Sequence, residues 1–258
     1  MTASSRLTHL TILTGASRGM GRALAEQLLS RPGQALLCIS RRADPALAAL
    51  AAQSGTTLTQ WEQDLAEPQP AAERVAGWLR DIDPQAFDSA TLVNNAGAIA
   101  HPQPLARADA AGLSHALRVG LEAPMLLTAV FLGATQGWRA ARKVLNISSG
   151  LGRHAMASQA PYCAAKAGMD HFSRAVALEE AALPNGARIV SLAPGVIDTD
   201  MQAQLRGGDA AGFPDVGRFV RLKAEGRLDT PASAAAKVLA YLARPDFGSQ
   251  PVADVREP

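Results

Sequence analysis

Short apolar runs closed by turn residues alternate along this chain with longer segments whose apolar residues recur at helical spacing, and that alternation constrains the fold most. Strands are predicted at residues 10–14, 35–40, 57–63, 90–94, 143–148 and 188–193, with a weaker one near 251–255. Helices are predicted near 20–30, 45–53, 70–79, 109–135, 157–183 and 230–243. Seven strands and six crossovers of this kind make βαβ units. Right-handed crossovers place helices on both faces of a doubly wound, seven-stranded parallel sheet, with ligands at the carboxyl ends of the strands. Residues 1–258 are long enough for one such α/β domain and short for two.

Composition narrows the function classes. Apolar residues make up 48% of the chain, charged ones 19%, and the formal net charge is +2, with arginines scattered rather than gathered into a stripe. No nucleic-acid partner is expected. The first six residues lack a basic start followed by an apolar stretch and cleavage site, and no apolar run approaches 18 residues, so no membrane association and a cytoplasmic location are expected. Cys38 and Cys163 lie far apart and are read as reduced thiols. His9, His101, His115, His154 and His171 have no partners at ligand spacing and read as surface or packing residues, so no metal site is expected. Trp61, Trp78 and Trp138 read as packing residues.

Between the first predicted strand and helix stands Thr14-Gly15-Ala16-Ser17-Arg18-Gly19-Met20-Gly21. Glycines there let backbone approach a pyrophosphate, and the following helix offers free N–H groups and a positive dipole end. Any tight strand-to-helix turn also favours glycine, but this one follows the first strand. The second strand ends in Ser40-Arg41-Arg42, where a dinucleotide fold that prefers NAD presents a carboxylate to the ribose. An acid would repel a 2′-phosphate, whereas Arg41 with Arg18 can clamp one, so NADP(H) is the expected cofactor. The competing reading makes Arg41 and Arg42 solvated charges at a strand end.

Ser149, Tyr162 and Lys166 form the sharpest chemical signal. Tyr162 and Lys166 are four apart at the start of a helical segment and project from one face, and Ser149 closes the preceding strand. With two tyrosines and four lysines in the chain, a chance Tyr-x-x-x-Lys pair is expected only about 0.03 times. A phenol titrates near 10, and a lysine ammonium close by favours its phenolate, moving it toward use as a general acid and base. The serine hydroxyl can hold the substrate oxygen. Tyr162 would give that oxygen a proton during carbonyl reduction and take one back during alcohol oxidation.

Thr14-Gly-Ala-Ser-Arg-Gly-Met-Gly21, Asn94-Asn-Ala-Gly97, Asn146-Ile-Ser-Ser149, Tyr162-Cys-Ala-Ala-Lys166 and Pro194-Gly-Val-Ile-Asp-Thr199 together resemble the ordered motifs of the short-chain dehydrogenase/reductase family, over residues 10 to 200. The resemblance implies a Rossmann fold and a cofactor site made of Gly15, Ser17, Arg18, Gly19, Met20, Gly21, Ser40, Arg41, Arg42, Asp64, Leu65, Asn94, Ala96, Gly97, Tyr162, Lys166, Pro194, Gly195, Ile197 and Thr199. Asp64 and Leu65 would border the adenine, Asn94 to Gly97 would line the adenosine side, Lys166 would bind the nicotinamide ribose, and Ile197 and Thr199 would fix the carboxamide. Ser149, Leu151, Tyr162, Gly195 and Met201 would meet a small-molecule carbonyl or alcohol substrate. The first glycine loop, Ser40-Arg41 and the short ending Val252-Ala253-Asp254-Val255 resemble the sepiapterin and benzil reductase type, which is NADPH-dependent and reduces vicinal diketones or related carbonyls. Sepiapterin reductases anchor the pterin through a C-terminal aspartate, and here that place falls between Ala253 and Asp254. Relatives are dimers or tetramers, so a homodimer or homotetramer is implied; the small apolar faces of helices 109–135 and 157–183 suit either that contact or burial within one subunit.

Two features depart from the pattern. Many relatives carry an asparagine four residues before a proline in the long helix preceding the serine strand, where it completes a proton relay with the lysine. Gly120 stands there, four before Pro124. Three readings remain: a relay held by the backbone carbonyl, lost catalysis in a protein that serves as an NADP(H)-binding sensor, or close helix packing. Residues 201–228, rich in Gly, Arg and Phe, interrupt the alternation and read as a lid, or as a surface insertion without a role. An epimerase or dehydratase fits less well, since those relatives carry a larger C-terminal part. Segments 98–100, 150–153 and 194–196, with the lid, are expected to line a mostly apolar substrate pocket.

Overall fold

The computed structural model describes residues 7–257, so the terminal residues 1–6 read above for a targeting signal lie outside it. Strands β1 (His9–Thr14), β2 (Gln34–Ser40), β3 (Thr57–Glu62), β4 (Ser89–Asn94), β5 (Ala141–Ile147), β6 (Arg188–Ala193) and β7 (Val252–Asp254) form one sheet in the order β3-β2-β1-β4-β5-β6-β7. Every pairing is parallel. The helices are α1 (Gly19–Leu29), α2 (Pro45–Ser54), α3 (Pro68–Arg80), α4 (Ala110–Leu117), α5 (Ala123–Thr135), α6 (Ala160–Ala181), α7 (Asp200–Arg206), α8 (Val216–Ala224) and α9 (Pro231–Leu242).

β2 is buried at every position and β1 at all but its first, as strands covered on both faces must be. Successive strand residues point to opposite faces and divide the core in two. Leu13, Leu36 and Cys38 pack with α1, α2 and α9 through Leu24, Leu47 and Val238. Ile12, Leu37 and Ile39 pack with α3, α5 and α6 through Val75, Phe131 and Val176. Strand order reverses between β1 and β4, so their connections leave to opposite faces and a crevice opens above their carboxyl ends.

The predicted helix over 109–135 is continuous but changes register. Residues Arg118–Glu122 form a π turn, with the Ala123 N–H reaching back five residues to the Arg118 carbonyl. Pro124 has no N–H to give the carbonyl of Gly120 four residues earlier, which accounts for the slip. This stretch also corrects the expectation about apolar runs: an 18-residue window within Ala110–Thr135 has mean hydropathy 1.5, apolar and long enough to cross a bilayer. Here it lies against the sheet, with Ala123, Leu127 and Phe131 buried in the core.

Residues 201–228, which interrupt the alternation of strands and helices, are largely helical. They hold most of α7 and all of α8, stabilised by a small cluster of Leu205, Phe213 and Phe219 against Ile99 and Met156. The predicted helix start at 157 moves to 160, because Ser158 is left-handed (φ +63°) and Pro161 occupies the first turn.

Candidate active site

A cleft of about 960 Å³ runs over the carboxyl ends of the central strands. Its floor at β1 is the glycine loop. Gly15 is left-handed (φ +72°), and a Cβ on Gly21 would fall 2.1 Å from the Gly15 carbonyl oxygen, so the turn closes only around glycines. The Asn95 side chain donates to the carbonyls of Thr14 (3.0 Å) and Gly15 (3.3 Å), and Thr14 Oγ1 accepts from the N–H groups of Asn95 and Ala96 (both 3.0 Å). β1 and β4 are thereby locked together beneath the cleft. No side chain caps the N-terminus of α1 and its first turn carries no acid, which leaves N–H donors suited to a pyrophosphate.

Gly15, Ser17, Arg18, Gly19, Met20, Gly21, Ser40, Arg41, Asp64, Leu65, Ala96, Gly97, Pro194, Gly195, Ile197 and Thr199 all line this cleft, as do Ser149, Leu151, Tyr162, Lys166 and Met201. Arg42 lines an adjoining recess with Arg18, Arg22 and Arg41. Asn94 does not reach the cleft. Its amide is buried and donates to Asn146 Oδ1 (2.8 Å) and Thr128 Oγ1 (3.2 Å), because alternation along β4 turns it away from the side that Asn95 faces. Arg18 also departs from expectation: its Nη1 pairs with Asp200 of α7 at 2.8 Å rather than standing free beside Arg41. Arg41 and Arg42 are exposed and form no ion pair among the described residues. Arg22 pairs with Asp44 at 2.7 Å.

At the far end, Ser149, Tyr162 and Lys166 converge as the spacing predicted. The Lys166 ammonium lies 5.7 Å from the Tyr162 ring centre and donates to the Ile147 carbonyl at 2.6 Å. Burial brings its pKa down to about 8, opposed by the Asp170 carboxylate. Tyr162 goes the other way from the expectation: burial holds its pKa above the ordinary phenol value, and the hydrogen bond with the Ser149 hydroxyl offsets only part of that rise. The Lys166 ammonium, engaged at Ile147, is not a leading influence on the phenol.

Buried polar groups around the site add contacts that the sequence did not show. Asp170, one turn beyond Lys166 on the same face, is buried, accepts from Ser148 (2.6 Å) and Ser191 (2.7 Å), and lies 3.4 Å from Arg153 Nε. Arg153 in turn donates to the Ala253 carbonyl at 2.7 Å, tying β7 to the loop after Ser149. Asp254 is buried and bound through both oxygens by Arg256. Gln159 and Gln202 line the cleft as buried amides. The Tyr162-Lys166-Asp170 spacing was a signal available for Asp170; nothing in the sequence singles out the glutamines. Of the expected pocket segments, Ala98, Ile99, Gly150, Leu151, Pro194, Gly195 and Val196 line the cleft, whereas Ala100, Gly152 and Arg153 do not.

Residues 9–210 match the model of a protein family described as short chain dehydrogenase. The chain belongs to that family. This short-chain dehydrogenase is 35% identical over 236 residues to a benzil reductase ((S)-benzoin forming) of Bacillus cereus, covering 92% of this chain and 94% of that protein. It is 33% identical over 250 residues to the sepiapterin reductase of Meriones unguiculatus, covering 92% of each. Among solved structures, a short-chain dehydrogenase/reductase from Burkholderia vietnamiensis matches with TM-score 0.65 at 34% identity, over 98% of this chain and 99% of that one. The benzil and sepiapterin reductases among the relatives of this chain belong to the subgroup that its motifs resemble, and as a family member it is an oxidoreductase that works with a nicotinamide cofactor.

Proposed function

We propose that this short-chain dehydrogenase is an NADP(H)-dependent carbonyl reductase acting on diketones of the benzil type, with Tyr162 as general acid. The convergence of Ser149, Tyr162 and Lys166 in the cleft that the glycine loop opens into carries this reading. NADP(H) would supply the hydride for the carbonyl carbon. The uncapped start of α1 would hold its pyrophosphate, and Arg41 and Arg42, beside a Ser40 that brings no negative charge, would receive the 2′-phosphate. The Asp44 carboxylate in the same recess is committed to Arg22.

Ser149 orients the carbonyl oxygen toward the Tyr162 hydroxyl. Tyr162 passes its proton to that oxygen as the carbon is reduced, leaving a phenolate. Lys166, held at the Ile147 carbonyl 5.7 Å from the Tyr162 ring centre, is the ammonium that would restore its proton. A raised phenol pKa suits this direction, because it keeps Tyr162 protonated until it is needed. The diketone is favoured over a pterin because Asp254, the residue available as a pterin anchor, is engaged by Arg256. Residues 201–228 act as the lid of this site, and the apolar side chains that α4, α5 and α6 leave in solvent, Leu117, Met125 and Leu178, support a homodimer or homotetramer.

The test is NADPH oxidation with benzil in the wild type and in Tyr162→Phe. Loss of the general acid is expected to lower kcat by about 10²–10⁴-fold while NADPH still binds. A variant as active as the wild type, or a wild type that prefers NADH, would contradict the proposal.

A further inference from the structure

Asp170 stands one turn after Lys166 on α6 and is 2% exposed. Its Oδ1 accepts from the hydroxyls of Ser148 at 2.6 Å and Ser191 at 2.7 Å. Its Oδ2 makes no hydrogen bond and faces the Arg153 Nε, which also makes none, at 3.4 Å. A buried carboxylate left half satisfied is costly, and an apolar residue of similar volume would serve the fold about as well. The charge here calls for a role other than stability.

The parts of the site meet at this carboxylate. Ser148 follows β5 and precedes Ser149, and Ser191 lies on the neighbouring β6. Arg153 ends the turn Gly150–Gly152 that follows Ser149. That turn lies directly on α6: a Cβ on Gly152 would fall 2.8 Å from Asp170 Oδ2 and 2.9 Å from the Lys166 carbonyl oxygen. Ser149 is thus flanked on both sides by residues fastened at Asp170. Arg153 extends the tie to β7, donating to the Ala253 carbonyl at 2.7 Å.

Few other charges surround the pair. On α6, Tyr162 and Cys163 are the titratable groups before Lys166. The turn after Ser149 brings Arg153 and an exposed His154, and β7 brings Asp254, which Arg256 engages. β5 and β6 carry Arg142, Lys143 and Arg188 only at their amino ends, where they bind Glu180 and the carbonyls of Leu242 and Pro245. His115 of α4 and Arg118 and Glu122 of the π turn are exposed, and α5 carries no charge. Among these groups, the Asp170 carboxylate is the charge that acts on the Lys166 ammonium, and it favours the charged form.

We propose that Asp170 is a positioning residue of this site, fastening the segment around Ser149 to the helix of Tyr162 and Lys166 through Ser148 and Arg153, while its negative charge steadies the Lys166 ammonium. This assignment rests on the carbonyl-reductase reading above.

The experiment is the pH profile of kcat/KM for NADPH oxidation with benzil, on the wild type and on Asp170→Asn, Asp170→Glu and Arg153→Gln, each with its melting midpoint. The wild type is expected to lose activity above about pH 8. Asp170→Asn keeps the shape and removes the charge, and is expected to move this fall down by about one pH unit. Its loss at pH 8 then exceeds its loss at pH 6 by about fivefold. Asp170→Glu restores the charge and is expected to return the fall toward the wild-type position. Arg153→Gln removes a cation from the neighbourhood of Lys166 and is expected to move the fall the other way, up by about half a unit. A merely structural tie would lower melting midpoints and rates without moving the profile in opposite senses. A folded Asp170→Asn whose losses are equal at every pH would overturn the role given to Asp170. Should Asp170→Asn not fold, Arg153→Gln decides, and an unmoved profile overturns it. A wild type active on benzil with no fall at high pH would also overturn it while leaving the reductase reading intact. A wild type that does not oxidise NADPH with benzil at any pH would overturn the reductase reading, and this role with it.

Discussion

Lys166 is 4% exposed, and burial lowers its pKa to about 8, with the Asp170 carboxylate pulling it upward. Below that value Lys166 holds the proton that the proposed mechanism returns to Tyr162; above it that proton is gone. Carbonyl reduction is therefore expected to stay level on the acid side of about pH 8 and to fall by roughly tenfold per unit well above it. A pH profile of kcat/KM measures this, and a rate still climbing at high pH would contradict it. The sign for folding is opposite. Between about 8 and 10.5 the unfolded chain holds more protons than the folded one at Lys166, so this residue's contribution to stability improves as pH rises. Tyr162 and Lys166 were legible because helical periodicity puts residues four apart on one face. Arg18 was only half legible: its position beside the cleft follows from the glycine loop, but Asp200, its partner, is 182 residues away. Asp170 was legible only through its four-residue spacing from Lys166, and the two glutamines were silent because their placement depends on burial, which a lone polar residue does not advertise.

The helical stretch from α4 to α5 shows how a single backbone group reshapes an element. Pro124 withholds a donor, the register slips to π over Arg118–Glu122, and buried Gly120 meets α6 with its would-be Cβ 3.3 Å from the Ala165 Cβ. That contact favours close packing beside Lys166 among the three readings of Gly120. A large side chain there would push α6 out of place. Gly120→Leu is expected to cost about 1–3 kcal/mol of stability and to reduce activity with it, as denaturant unfolding and turnover would report. The lengths and order of the strands were readable because strands buried on both faces are near-continuous apolar runs. α7 and α8 were not, since glycines at 207, 208, 212, 217 and 226 mask two short helices whose stability comes from a three-residue cluster rather than from periodicity.

For the whole molecule, the doubly wound order sets the location of the cleft before any side chain is considered, and it followed from counting crossovers. The proposed homo-oligomer rests on surface rather than on topology. α6 leaves Leu178 77% exposed, and α4 and α5 leave Leu117 and Met125 partly so. If the proposed homo-oligomer forms by burying these against a second subunit, which would remove apolar surface from water, Leu178→Glu is expected to shift it toward monomer in sedimentation velocity without unfolding it. An unaltered assembly would exclude Leu178 from the contact. The Arg18–Asp200 pair spans the mouth of the cleft from the glycine loop to α7, and both side chains are mostly in solvent. Exposed pairs contribute little and are screened by salt. The mouth is thus fastened by a weak, ion-sensitive clasp, so ionic strength is expected to tune how quickly ligands enter and leave, while the proton transfer proposed at Tyr162 is expected to proceed at its own pace.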